Sequence, residues 1–241
     1  MAAYPCITVG TPEYQEIVIQ ILLVFQSLPE PEWPGVGSIM WEDETIGYQE
    51  LTGWLYNWSE VYYRCRMNRV GHPDHWKHAN RYMGLLLATN SPLLYPSTSL
   101  FAMADYVIFG ALDFPSENGD ILAAAELFKT ASSVYYTFCE NKLRDSGHVA
   151  TLGPRKPFPN SVMVHPRDKA LFIRLGGRYT MGLWKIWKAC WESLMTSDAA
   201  PDDRIRQAAK EAYEAMSQAS HDAASLAYTS LADNSPNPDF A

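Results

Sequence analysis

Four cations in the C-terminal half of the chain recur at spacings that suit one side of a helix. Projected at 100° per residue, they fall within about 20° of one line: Arg167, Arg174, Arg178 and Lys185. At 1.5 Å per residue this stripe would be about 27 Å long, enough to follow several phosphates. Arg155 and Lys156, in the Pro-rich stretch before it, extend the same surface. The pattern predicts contacts to a polyanion backbone, which carry no base-sequence information.

Two other interpretations of the same cations stay open. Charge runs are commonly solvated helix faces, and here the cations would pair with acidic parts of the same chain. A helix lying on a membrane surface is the other interpretation. Because the acidic remainder of the chain would be repelled by anionic lipid, we expect no membrane partner. Gly176 and Gly177 would also break the helix and spoil the alignment of the cations.

Three histidines lie three residues apart, at His72, His75 and His78. His75 and His78 would share a helical face and could hold a metal if other elements supplied further ligands. The neighbouring Lys77 disfavours a bound cation, and no HExxH or Glu-x-x-His pattern is present. We therefore predict surface or capping histidines, with no metal and no other cofactor. These residues stay candidates only for a metal-assisted enzyme with a helical pocket.

Other catalytic patterns are missing from the sequence. There is no GxSxG, P-loop or GxGxxG motif, because Gly35-Val36-Gly37-Ser38 lacks the Lys and the following helix of a phosphate loop. The four cysteines lie far apart and favour reduced, buried thiols over a zinc cluster or a disulfide framework. The N-terminus has no basic stretch followed by an apolar run, so the sequence predicts a protein that is not secreted.

The charge of the chain is strongly polarised along its length. The net charge of −8 combines a segment over 1–63 with nine carboxylates and no Lys or Arg, and a segment over 142–188 with ten cations and two carboxylates. Residues 189–241 are again acidic, with nine carboxylates and three cations. Such a distribution favours either a polyanion partner or pairing between oppositely charged segments of neighbouring copies.

Apolar spacing of three and four residues predicts an all-α protein of about seven helices, in an orthogonal or two-lobed bundle with Pro-rich connections. The expected helices cover about 11–28, 51–65, 74–89, 97–112, 120–144, 166–196 and 201–231. Residues 29–47 are expected to be an irregular connection. We expect one domain over 1–232 and a flexible tail over 233–241. The inward half of the helix over 166–196 would consist of Phe172, Leu175, Tyr179, Leu183, Ile186 and Cys190.

The stretch Phe101-Ala102-Met103-Ala104-Asp105-Tyr106 resembles the FA-x-x-D-aromatic segment in coat proteins of flexuous filamentous plant viruses. In that family an Arg about forty residues upstream pairs with this Asp near the RNA groove. Arg66 and Asp105 stand at the matching positions, and Asn90-Ser91-Pro92 between them is also similar. Ala104 replaces the family's aromatic, and 136 residues follow Asp105, more than the family usually has. The resemblance implies a buried Arg66–Asp105 ion pair.

Together these features favour a non-enzymatic, self-assembling structural protein that is coat-like or nucleoprotein-like. It would bind single-stranded RNA through the basic stripe and occur in the cytoplasm or in a virion. The alternatives are the small-molecule enzyme with a helical pocket and a helical adaptor whose basic face meets an acidic protein. The residues predicted to contact phosphates are Arg155, Lys156, Arg167, Arg174, Arg178 and Lys185.

Overall fold

The computed structural model describes residues 3–29, 40–41, 44–45, 54–89, 98–112, 118–141, 179–196 and 202–233. Its helices are α1 (Ala3–Thr8), α2 (Pro12–Ser27), α3 (Trp54–Met67), α4 (Pro73–Ala88), α5 (Thr98–Leu112), α6 (Asn118–Glu140), α7 (Met181–Thr196) and α8 (Asp203–Asp233). The all-α prediction is confirmed. Within the described part of the chain there are eight helices rather than about seven, because α1 is too short to show a period.

A two-residue antiparallel ribbon lies where the sequence predicts an irregular connection. Strand β1 (Met40–Trp41) pairs with β2 (Glu44–Thr45), with Met40 opposite Thr45 and Trp41 opposite Glu44. Strands of two residues are too short to show apolar alternation, so no sequence pattern predicts them. The ribbon does not alter the fold class.

Capping residues explain several helix boundaries. Thr11 accepts a hydrogen bond from the Tyr14 amide at 3.3 Å, and Pro12 occupies the first helical position of α2. The Asp202 carboxylate accepts from the Ile205 amide at 2.9 Å at the start of α8. These side chains satisfy amide groups that have no partner inside the helix. The boundaries predicted for α2 and α8 lie within about two residues of those observed.

Helix α6 is the centre of the hydrophobic core. All eight residues from Ile121 to Phe128 are buried, and α4, α5, α7 and α8 pack around this helix. Helix α4 approaches closely because Gly84 faces Thr130: an added Cβ would lie 3.0 Å from the Thr130 Cβ and 3.4 Å from the Leu127 carbonyl oxygen. The buried side chains of the described helices belong to one core cluster.

Helices α1 and α2 are fixed to α4 by buried polar contacts. The Gln15 amide donates to the carbonyl oxygens of Cys6 and His78, at 2.8 and 3.0 Å. Arg81 donates through Nε to Gln15 Oε1 at 2.8 Å and through its terminal nitrogen to the Gly10 carbonyl. Gly10 has a φ of +63°, a left-handed conformation that favours glycine. These contacts fix the turn between α1 and α2 on the side of α4.

None of the described helices combines the length and apolarity needed to cross a membrane.

Candidate nucleic-acid interface

The predicted helix over 166–196 is wrong as one continuous element. Tyr179 and Thr180 are not helical, and α7 begins at Met181. The Leu183 amide, which would donate to the Tyr179 carbonyl in a continuous helix, donates instead to the Thr180 hydroxyl at 3.1 Å. The cationic stripe therefore does not run along an unbroken helix as far as Lys185.

Of the predicted phosphate contacts, Lys185 is described, and its side chain is exposed on α7. The other five lie outside the described residues: Arg155, Lys156, Arg167, Arg174 and Arg178. Lys188, one turn along α7 from Lys185, is half-buried with its ammonium 4.9 Å from the centre of the Tyr213 ring. A cation in that position contributes to packing as well as to surface charge.

The inward face of α7 differs from the predicted one. Leu183 is buried as expected, but Ile186 is exposed and Cys190 is only half-buried. The buried positions are instead occupied by Trp184, Trp187 and Trp191. Three indoles bury more apolar area than Ile and Cys, so they determine which side of the helix faces the core. Tyr179 is buried as predicted, although it precedes the helix.

The described residues that flank 142–178, called the basic segment below, meet at one place on the core. Phe138, near the end of α6, has its ring centre 5.4 Å from that of Tyr179, just before α7. Burial raises the pKa of the Cys139 thiol to about 12; the Asp105 charge adds to the rise, while backbone hydrogen bonds from Thr180 and Trp184 oppose it. The end of α6 and the residues just before α7 are thus neighbours on the core, although 142–178 separate them in the chain.

A buried carboxylate anchors the returning end. Asp105 on α5 is 4% exposed. The Tyr179 hydroxyl lies 2.7 and 2.6 Å from its two oxygens and donates to this carboxylate. Short hydrogen bonds to a carboxylate are among the stronger ones in proteins. The contact ties α5 to the residue that directly follows the basic segment.

Arg66, the second member of the pair implied by the resemblance, contacts the neighbour of Asp105. Its guanidinium carbon lies 3.5 Å from the centre of the Tyr106 ring, a cation–π contact between α3 and α5. Arg66 is therefore brought to the part of α5 that carries Asp105. The ion pair itself stays a prediction.

The histidine cluster takes part in packing. The rings of His72 and His75 stack with their centres 5.1 Å apart and their planes at 14°. His78 places Nδ1 3.0 Å from the Ile7 carbonyl oxygen, so this nitrogen carries the proton that it donates. In the part of the chain that the structure describes, no three His, Cys, Asp or Glu side chains are grouped so that they could hold a metal.

Sequence reasoning missed a charge network across three helices. Glu126 is buried on α6, 3.7 Å from the Lys77 ammonium and 3.0 Å from that of Lys129. Lys129 also lies 2.7 Å from a carboxylate oxygen of Glu211 on α8. The residues come from distant parts of the chain, and only the Glu126–Lys129 spacing could have been noticed in the sequence.

An apolar surface on α2 was also missed. Ile17, Ile21, Val24 and Leu28 point outward along one face of this helix, and Glu13 and Glu16 precede them on the same face. Their 4-3-4 spacing was visible in the sequence, but α2 also has an inward apolar face. The pattern alone does not distinguish the two faces.

Compared with known proteins, the chain matches no family model, no curated protein and no solved structure.

Proposed function

We propose that this chain is a non-enzymatic, self-assembling structural protein that is coat-like or nucleoprotein-like and binds the backbone of single-stranded RNA. It would act in the cytoplasm or in a virion. The observation that carries the proposal is the contact between Phe138 and Tyr179, the described residues that flank the basic segment. The resemblance around Asp105 to coat proteins of flexuous filamentous viruses supports the same function.

Charge density makes the segment suited to a polyanion. Residues 142–178 contain eight Lys or Arg side chains and two Asp. The described helix that follows them adds another exposed cation, Lys185. Phosphate contacts of this kind fix position without selecting a base sequence. We expect binding to depend on charge and strand length rather than on base composition.

The test is a salt titration of binding to a single-stranded RNA. If four cations contact phosphates, log K falls with log salt at a slope of about −3, since each contact contributes roughly 0.7. Replacing Arg167, Arg174, Arg178 or Lys185 by Gln one at a time lowers the slope by about 0.7 each. Lys210→Gln is the matched control, because Lys210 is an exposed cation on α8 outside the basic segment.

The outcomes separate this function from its alternatives. Size-exclusion chromatography with light scattering and the 260 to 280 nm absorbance ratio reports assembly and bound nucleic acid together. A monomer that ignores RNA and binds an acidic protein would instead support the adaptor. Binding that does not change with salt, or absent binding, overturns the proposal.

A further inference from the structure

The backbone just before α7 lies between two of the cations that are expected to contact phosphates. Arg178 directly precedes Tyr179 in the sequence, so their Cα atoms are about 3.8 Å apart. Lys185 follows Tyr179 by six residues and is exposed near the start of α7. Contacts that fix Tyr179 and Thr180 therefore fix the chain between the two cations. Tyr179 and Thr180 are called the junction below.

Asp105 holds the junction from the side of α5. The Tyr179 hydroxyl lies 2.7 Å from one carboxylate oxygen of Asp105 and 2.6 Å from the other. Tyr179 is 6% exposed and Asp105 is 4% exposed. A hydrogen bond to a carboxylate is stronger where water is excluded. The contact thus fixes the hydroxyl end of Tyr179 against a helix that is distant in the sequence.

Contacts with α6 and α7 hold the junction from other sides. The ring centres of Tyr179 and Phe138 are 5.4 Å apart. The Thr180 amide donates to the sulfur of Cys139, and the Thr180 hydroxyl accepts from the Leu183 amide at 3.1 Å. The junction is therefore restrained by α5, α6 and α7 together. A binding partner does not need to order it, which lowers the entropy cost of binding.

An ordered backbone between two cations favours binding of both to one strand. Lys and Arg side chains are long and adapt to a phosphate, but ordering a free backbone on binding costs entropy. Where the backbone is already ordered, the second phosphate contact forms at a high effective concentration. Tyr179 has no part in the phosphate contacts themselves, because it is buried and its hydroxyl is directed at Asp105.

We propose that Tyr179 and Asp105 are positioning residues for RNA binding, which hold the backbone between Arg178 and Lys185 so that both cations contact the same strand at once. This inference rests on the proposed function and adds to it two buried residues that touch no phosphate. It makes the affinity for RNA depend on a hydrogen bond inside the core.

Removing the Tyr179 hydroxyl is the first test. Tyr179→Phe keeps the ring and its contact with Phe138, and RNA affinity should fall about fivefold because the junction must then be ordered on binding. The slope of log K against log salt should stay at about −3, since no phosphate contact is removed. Tyr62→Phe is the matched control, because Tyr62 is also buried and donates to Asn80 at 2.7 Å in another part of the core. It should bind RNA like the natural chain.

A comparison of backgrounds separates positioning from a general loss of stability. In a chain that already carries Arg178→Gln or Lys185→Gln, Tyr179→Phe should weaken binding by less than about twofold, because there are no longer two cations to align. In a chain that carries Arg167→Gln, the loss of about fivefold should remain, since Arg167 is not one of the two cations. An equal loss in all three backgrounds means that Tyr179 acts only through stability, and overturns the proposal.

Asp105→Asn tests the other partner of the hydrogen bond. It keeps an oxygen that can accept from Tyr179 but removes the charge, so RNA affinity should fall less than in Tyr179→Phe, by about twofold. In a chain that carries Tyr179→Phe, it should have no further effect on binding. If Tyr179→Phe does not fold by circular dichroism, Asp105→Asn in the same backgrounds decides the question.

The outcomes distinguish this inference from the proposed function. If the natural chain does not bind single-stranded RNA, both fail. If the natural chain binds RNA with the expected salt slope, but Tyr179→Phe and Asp105→Asn bind as tightly as it does, this inference alone fails and the proposed function stands.

Discussion

Two aromatic clusters stabilise this fold, and they differ in how the chain brings them together. The α3–α4 cluster joins consecutive helices and consists of Trp54, Trp58, Tyr62, Trp76 and Tyr82. The α6–α7 cluster consists of Phe128, Tyr135, Phe138, Tyr179, Trp184, Trp187 and Trp191. It joins parts of the chain separated by the whole basic segment. Packing in the second cluster therefore also determines where that segment is attached.

The polar contacts of the two clusters differ as well. Tyr62 donates to a neutral acceptor, the Asn80 side-chain oxygen, at 2.7 Å. Tyr179 donates to the Asp105 carboxylate. Hydrogen bonds to charged groups contribute more to stability than neutral ones. Of the two tyrosine hydroxyls, the one in the α6–α7 cluster thus has the stronger contact, while in the α3–α4 cluster it is the Trp76 indole that donates to a carboxylate, that of Asp120 at 3.0 Å.

The largest effect is expected from truncating the centre of the α6–α7 cluster. Trp187 is fully buried, so Trp187→Ala leaves a cavity and lowers the free energy of unfolding by about 3–5 kcal/mol. Urea denaturation followed by circular dichroism measures the loss. Trp54→Ala is the control from the other cluster, since Trp54 is only partly buried and its loss is smaller. Equal losses in both variants would contradict the central place of Trp187.

Removing one hydroxyl from each cluster tests the difference in their acceptors. Tyr179→Phe should lower the free energy of unfolding by about 1.5–3 kcal/mol, because the acceptor is a carboxylate. Tyr62→Phe should cost about 0.5–1.5 kcal/mol, because its acceptor is an amide oxygen. Both values come from urea midpoints at constant m-value. A larger loss for Tyr62→Phe would reverse the proposed order of the two contacts.

The charge network adjoins both clusters in the sequence, since Lys77 directly follows Trp76 and Lys129 directly follows Phe128. Hydrogen bonds from Lys129 and Gln207 lower the pKa of Glu211, against the opposing effect of burial. Burial acts to lower the pKa of Lys129, but hydrogen bonds and charges from Glu211 and Glu126 outweigh it and raise that pKa. The network thus favours the charged form of both partners.

These shifts predict how stability depends on pH. A lowered carboxyl pKa contributes stability that is present above about pH 4.3 and lost as the pH falls through the folded value. A raised Lys pKa contributes stability that is present below about pH 10.4 and lost as the pH rises through the folded value. At neutral pH, Glu211→Gln should cost less than about 1 kcal/mol, because the pair is partly exposed and screened. Thermal melts of both chains at pH 3.5, 7 and 10.5 measure this; an unchanged difference across that range would contradict it.

The smallest effect concerns thiol reactivity, which leaves the fold unchanged. Burial raises the pKa of the Cys6 and Cys65 thiols to about 11. Burial raises the pKa of the Cys139 thiol to about 12. Since the thiolate is the reacting form, these cysteines should react slowly with iodoacetamide at pH 8 in the folded protein. We expect the half-buried Cys190 to react first. Mass spectrometry of peptides follows each site, with protein in 6 M guanidinium as the control; fast labelling of Cys139 would contradict its burial.

Local sequence features predicted most helix positions. Thr11-Pro12 and Pro29 predicted the ends of α2, and Pro73 was predicted to end the preceding helix, one residue before the expected start at Asp74, because caps and prolines act within a few residues. Helix α1 was missed because its six residues, which include Pro5, are too few to show a helical period of apolar residues. The start of α7 was missed because it is set by the Thr180 side chain, which accepts a hydrogen bond from the Leu183 amide as a helix cap, and not by the spacing of apolar residues.

Contacts between distant residues were harder to predict. The resemblance indicated Asp105 as a buried carboxylate, but its hydrogen bond from Tyr179 spans much of the chain and has no local pattern. Glu126 is the one charged residue in the otherwise apolar run Ile121–Phe128, which indicates its burial, but its partner Lys77 lies far away in the sequence. The tryptophans of α7, rather than Ile186, face the core, and this follows from how the helix packs against its neighbours. Spacing alone does not contain that information.

The close crossing of α4 and α6 restricts how this sequence can diverge. Gly84 faces Thr130 across the crossing, so replacing the glycine requires a change on the other helix at the same time. The constraint falls on the glycine, because Thr130 can become Ser or Ala without any change in α4, whereas a side chain at position 84 needs Thr130 to move or to shrink. A distant relative would therefore keep a glycine in the fourth helix after most other identities had been lost. The glycine offers a criterion for recognising common ancestry that overall similarity would miss.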